Sequence, residues 1–147
     1  MDEKLICYCG LYCGNCPVKA KVHPAATALR DELNAAGFGD VIHNIPGGDG
    51  FWEFLEGMAE GGICVSCRDG SGDPTCAVRM CAQTKGVDMC ALCKFYPCGL
   101  FNTFAKSHSY IVKDNDLLRE KGMEAWSKMQ DDRRSKGYTY ADEKQKQ

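Results

Sequence analysis

The chain has 147 residues, with 20 acidic against 18 basic side chains and a net charge of −2. A length of that order is expected to form one domain, and so even a charge balance offers no basic face for nucleic acid or an anionic membrane. There is no apolar run of roughly 18 residues to span a bilayer. The opening "MDEKLICYCG" also lacks the apolar centre of a signal peptide, so a cytoplasmic protein is expected.

In chain order, "KLICY" (4–8) is the first strand-like run, and it is short. The cysteine-free span 17–63 reads as two helices. In "HPAATALRDELNAAGFG", Ala26, Leu29, Leu33 and Ala36 recur at helical spacing, and Gly37 stands where a helix end favours positive φ. After the loop "NIPGGDG", the stretch "DGFWEFLEGMAEGG" is expected to be capped by Asp49 and to carry Phe51, Phe54, Leu55 and Met58 on one face. It should stop at Gly61 and Gly62. "DPTCAVRMCAQTKG" (73–86) reads as a short helix capped by Asp73, opened by Pro74 and ended by Gly86. "YPCGLFNTFAKSH" reads as another, opening at Pro97. "SYIVK" (109–113) is the second strand-like run. Residues 114–135 read as a longer helix capped by Asp114 or Asn115, with Leu118, Trp126 and Met129 as its buried line and Gly122 as a weak middle. The polar "YADEKQKQ" is expected to fray. The fold class is therefore mainly α, with knuckle turns and little or no β. Residues 1–137 are taken as a single metal-stabilised helical domain and 138–147 as a polar tail.

Leu, Ile, Val and Phe together number 27, about 18% of the chain, which is thin for a globular core. Such a chain needs staples, and eleven cysteines are the candidates. They come in groups: Cys7, then Cys9-x3-Cys13-x2-Cys16-Pro17; Cys64-x2-Cys67; Cys76-x4-Cys81; Cys90-x2-Cys93-x4-Cys98. An odd count in a reducing compartment speaks against disulfides. Two C-x-x-C pairs followed by basic residues, Arg68 and Lys94, are knuckles whose tight turns aim two sulfurs at one ion. A thioredoxin-like redox site lacks its βαβ setting. A radical enzyme built on the C-x3-C-x2-C run would need a large partial barrel that this length does not provide. His23, His43 and His108 are isolated, and His43 is the best histidine candidate for an extra ligand. The aromatics Phe51, Trp52, Phe54, Phe95, Tyr96, Phe101 and Phe104 are expected to pack around the metal sites in place of missing aliphatic core.

The simplest allocation gives Cys64, Cys67, Cys76 and Cys81 to one ion. Cys90, Cys93 and Cys98 then borrow a fourth thiol from the N-terminal group, with Cys16 the first choice. One difficulty is that two cysteines five residues apart in a single helix point roughly 140° away from each other. Either the first turn of that helix is irregular or Cys76 and Cys81 serve different sites. Tyr96 precedes proline and so leaves the helical region, which turns the chain and returns Cys98 toward Cys90 and Cys93. Cys16, Cys76 and Cys98 each lie beside a proline expected to open a helix, where the positive dipole end favours thiolate.

These groups, "CGLYCGNCP", "CVSCR" and "CAVRMCAQTKGVDMCALCKFYPC", resemble a widespread family of small cysteine-rich bacterial and archaeal proteins known as a domain of unknown function. The resemblance spans roughly residues 7–105. It implies a cytoplasmic prokaryotic protein with metal-binding cysteines at Cys9, Cys13, Cys16, Cys64, Cys67, Cys76, Cys81, Cys90, Cys93 and Cys98, leaving Cys7 as a spare. The expected function is a zinc-stapled binding or adaptor module, with two zinc sites and no catalysis of its own. The alternative is an iron–sulfur protein carrying a 4Fe–4S cluster in electron transfer or redox sensing. The partner is an unidentified protein or small molecule; neither membrane nor nucleic acid is expected.

Overall fold

The computed structural model describes residues 2–61 and 64–144. Gly62 and residues 145–147 of the expected tail lie outside the described residues. The molecule is mainly helical, with one isolated antiparallel bridge, Ile6 to Tyr12, and no sheet among the described residues. Its contacts divide it into two compact units, residues 17–65 and residues 1–16 with 66–147.

The 17–65 unit is a helix pair. A π-helical turn at Val18–Val22 runs into α1 (His23–Ala35), which ends at Gly37 with φ 71°. The wide turn falls where Pro24 has no N–H to offer the carbonyl four residues back. α2 (Gly48–Ala59) follows two short 3₁₀ turns. Its cap is Gly47 rather than Asp49, because Asp49 sits in the first turn and pairs with His43. That exposed pair also gives His43 an ordinary surface partner. The pair packs through Ala26, Leu55 and Ala59, flanked by Leu33, Trp52 and Met58. Phe51 and Phe54 do not join this core; they are 44% and 61% exposed. The packed stripe runs through Trp52, Leu55, Met58 and Ala59; Phe54 stands about 100° from Leu55 around the axis, and Phe51, one turn before Leu55 in the first turn of α2, stays exposed.

The second unit begins with a capped 3₁₀ turn, Glu3–Leu5, then a tight reversal closed by Cys7 N–H donating to Leu11 O (2.8 Å) and Gly10 N–H to Cys7 O (3.0 Å). "KLICY" therefore contributes one bridge residue rather than a strand. α3 (Ala77–Thr84) starts after Cys76, three residues later than Asp73 would place it. Asp73 instead caps the preceding turn, accepting from the Thr75 N–H (2.8 Å) and hydroxyl (2.7 Å). α4 (Gly99–Ala105) likewise begins after Cys98 and not at Pro97.

The long helical segment α5 (Tyr110–Ser135) takes in "YIVK" of the second strand-like run. Asp114 and Asn115 are not caps; they are buried inside it. Gly122, at φ 82° and ψ 174°, breaks it into arms 110–121 and 123–135. In one straight helix Asp114 and Arg133 would stand about 28 Å apart along the axis. In the structure they are 2.6 Å apart, so the second arm doubles back on the first. Leu118 and Trp126 are buried between the arms and join Ile6, Tyr12, Met89 and Ala91, with Met129 packed alongside. Residues 138–144 are not a loose tail. Thr139 and Tyr140 are buried, Tyr140 N–H donates to Asn15 O (3.0 Å), its hydroxyl accepts from Tyr12 N–H (2.8 Å), and α6 (Ala141–Lys144) follows. The aromatic rings let a composition-polar stretch bury its core face. No helix of the described residues is long and apolar enough to cross a membrane.

Candidate metal centre

Cys90 opens a 3₁₀ turn, Cys90–Leu92, and Cys93 closes it by donating its N–H to Cys90 O (3.0 Å). This is the knuckle that the spacing implied. Arg119 of α5 braces it, donating to Ala91 O (2.7 Å), and Cys90 N–H is anchored on Tyr8 O (2.7 Å). After the bend at Tyr96–Pro97, Cys98 returns as the residue before α4. Cys90, Cys93 and Cys98 then line one cavity of about 20 Å³, walled by Tyr96, Leu100 and Phe101. The fourth thiol lining it is Cys81 of α3; Cys16 is not among its lining residues.

Cys76 is the residue before α3 and packs elsewhere, against the buried Cys7, Cys9 and Val78. Cys76 lies outside α3 with a non-helical backbone (φ −54°, ψ 106°), so the 140° separation within one helix does not arise; Cys76 packs against Cys7, Cys9 and Val78, and Cys81 lines the small cavity. Cys13 and Cys67 pack in that same group as Cys76. Cys16, half-buried, ends the 3₁₀ turn Cys13–Asn15. Cys64 belongs to the 17–65 unit and Cys67 to the other. Among the described residues no disulfide links any of the eleven cysteines.

As they stand, no group of three or more His, Cys, Asp or Glu side chains among the described residues forms a metal site. The small cavity nevertheless has four cysteines among its lining residues, together with Lys85 and Tyr96 and no carboxylate or histidine, and has room for about one water-sized sphere, a cysteine-rich lining of the kind that suits one ion. Electrostatics point the same way. Burial, followed by the nearby thiols Cys9, Cys98, Cys81 and Cys93, pushes the Cys90 thiol up to about 12. The Cys90 thiol therefore resists ionising in these surroundings, whereas a bound divalent ion deprotonates a coordinating thiol outright.

Two residues of these surroundings carry no spacing signal. Cys7 lies outside the regular groups, and only the reversal at residues 7–11 turns it inward. Arg79 is an ordinary helix residue by sequence, yet it is 8% exposed.

Fold and thiols together define a small, mainly helical, cysteine-rich protein. The chain belongs to the family described as protein of unknown function DUF3795, whose model matches residues 5–103. That span agrees closely with the region over which the cysteine groups carry the resemblance. No curated protein and no solved structure matches the chain.

Proposed function

We propose that this protein is a cysteine-ligated metal-binding protein, a zinc-stapled binding or adaptor module of the cytoplasm without catalysis of its own. The observation that carries the reading is the convergence of Cys81, Cys90, Cys93 and Cys98 on one cavity of about 20 Å³. Room for about one water-sized sphere suits a single tetrahedral ion, and a cubane of four irons and four sulfides would need far more. A second zinc is expected among the remaining thiols. Zinc supplies folding free energy at such a site, and the thin core makes that contribution necessary.

The binding role rests on the surface next to the knuckle. Leu92 and Phe95 are more than half exposed, and Lys85 and Lys94 both stand over the Phe95 ring. These residues, with Val87 and Cys93, line a recess of about 480 Å³, within the range of small-ligand and peptide sites.

The test is metal analysis of protein purified without oxygen, together with its visible spectrum. Colourless protein with about two zincs per chain is the expected result. Brown protein with iron and acid-labile sulfide would replace this reading with the iron–sulfur one. Cys93→Ser should lose one zinc, and acidification should release zinc as protons compete for the thiolates.

A further inference from the structure

The recess beside the Cys90–Cys93 knuckle is held between two closed turns. On one side α3 ends in a glycine stop. Gly86, at φ 62°, donates its N–H to Gln83 O (3.1 Å), and Val87 N–H donates to Ala82 O (3.0 Å). This paired closure fixes Lys85 and Val87 at the helix end. On the other side Cys93 N–H donates to Cys90 O (3.0 Å) and Tyr96 N–H to Cys93 O (3.1 Å), which puts Lys94 and Phe95 at the corner of a turn. Tyr96 is held in turn by Phe101, with ring centroids 4.7 Å apart, and by the Arg119 guanidinium 5.4 Å over its ring.

The surface so presented combines an apolar floor with a cationic rim. Leu92 and Phe95 are 53% and 56% exposed, and with the half-buried Val87 they floor the recess of about 480 Å³. Lys85 Nζ stands 4.7 Å and Lys94 Nζ 5.0 Å from the centroid of the Phe95 ring. The two ammoniums are therefore within about 10 Å of each other, the Debye length at ordinary salt, and repel across the ring. No carboxylate lines the recess, and among the described residues neither lysine forms an ion pair. A ring face attracts an ammonium through its quadrupole but leaves its N–H donors to other acceptors. The complement of this surface is an apolar side chain flanked by carboxylates.

We propose that the recess docks an acidic peptide segment of a partner protein, an apolar side chain seating on Val87, Leu92 and Phe95 while flanking carboxylates meet Lys85 and Lys94. This rests on the binding role proposed above and names the chemistry of the partner. A peptide fits better than a small molecule because the floor is open. Small-molecule sites enclose most of their ligand's surface, whereas an open floor suits a segment that continues beyond it. Nucleic acid would need a longer basic track than two lysines on a chain of net charge −2.

The test titrates the full chain into fluorescent peptides whose centre is Leu, Phe or Trp and whose flanks are Glu, Gln or Lys. Anisotropy is the readout, and zinc is counted on the same sample. Glu-flanked peptides should bind about fivefold more tightly than Gln-flanked ones, the gain that two exposed ion pairs supply, and high salt should erase the difference. Amide shifts on binding should centre on Val87, Leu92 and Phe95. Lys85→Gln with Lys94→Gln should abolish the preference and leave the Gln-flanked affinity unchanged, and the double arginine variant should keep it. Phe95→Ala should weaken Glu- and Gln-flanked peptides alike. Preference for Gln or Lys flanks, shifts centred elsewhere, or a preference that survives loss of both lysines would overturn the proposal. So would tighter binding of a single-stranded oligonucleotide, or shifts at Leu92 and Phe95 that follow protein concentration alone, the mark of a second copy seated there. Zinc-loaded protein that binds none of the peptides would sink this proposal and leave the metal reading standing; metal-free protein that binds them as expected would do the reverse.

Discussion

Gly10 shows how tightly the N-terminal reversal is specified. It adopts φ 96°, and a Cβ there would lie 1.8 Å from Asn115 Oδ1. Asn115 cannot yield, since its amide donates to Cys9 O (3.0 Å) from a fully buried position. Gly10→Ala should therefore cost at least ~2 kcal/mol from backbone strain and overpacking together. Urea denaturation measures it, and adding Asn115→Ala should recover only the steric part. Tyr12 behaves oppositely. It is fully buried and packs edge-on to Trp126 at 6.2 Å, yet its hydroxyl has no hydrogen-bond partner among the described residues. Tyr12→Phe removes an orphaned polar group of the same shape, so stability should hold or rise by up to ~1 kcal/mol. A clear loss would show that the hydroxyl is satisfied in solution.

The element that matters most for the core is the doubled-back α5. Its arms are tied by a buried chain of polar groups. Asn15 donates to Gln130 Oε1 (2.7 Å), Gln130 to Asp114 Oδ2 (3.1 Å), and Arg133 to the same oxygen (2.6 Å). Burial opposes the charge on Arg133, but the Asp114 carboxylate outweighs it and raises the pKa above its ordinary value. Arg133→Met would leave the Asp114 carboxylate buried with only Gln130, at a cost of about 3 kcal/mol. Asp114→Asn in the same chain should return part of that, as a double-mutant cycle in urea would read. At the hinge, Gly122 has open space around a Cβ but a backbone conformation restricted to glycine. Gly122→Ala should cost about 1–3 kcal/mol through strain alone, with no compensating repacking.

At the scale of the molecule the apolar core is thin, and on the proposed function metal held by the thiols would add to it. The core clusters are small, and buried polar residues, among them Asn15, Arg79, Asp114, Asn115 and Gln130, stand among them. Removing metal with a chelator should lower Tm. It should also raise hydrogen exchange first in α3 and in the 90–98 segment, which carry the Cys81 group. The α1–α2 pair, which packs through Ala26, Leu55 and Ala59, should be affected least. Uniform exchange throughout both units would count against cysteine-held metal as the staple.

What the sequence by itself determined is whatever depends on neighbours in the chain. Helical periodicity, the glycine at the end of α1, the knuckle at Cys90–Cys93 and the bend before Pro97 are local, and each was legible. Leu118, Trp126 and Met129 do meet at the core as their apolar character suggested, but not as one helix face, since Gly122 puts Leu118 on the first arm and the other two on the second. The grouping of cysteines also sufficed to place the chain in its family region. Only the tertiary structure decided which thiols meet. The choice of Cys81 over Cys16 as fourth neighbour depends on how α3 lies against the 90–98 segment, a contact no spacing encodes. The inward turn of Cys7, the burial of Arg79 and the return of the second α5 arm are of the same kind. Gly122 announced a weak point, but only the pairing of Asp114 with Arg133 turned that weakness into a reversal. Local signals state where the chain can turn; long-range burial of charge and apolar surface selects where it does.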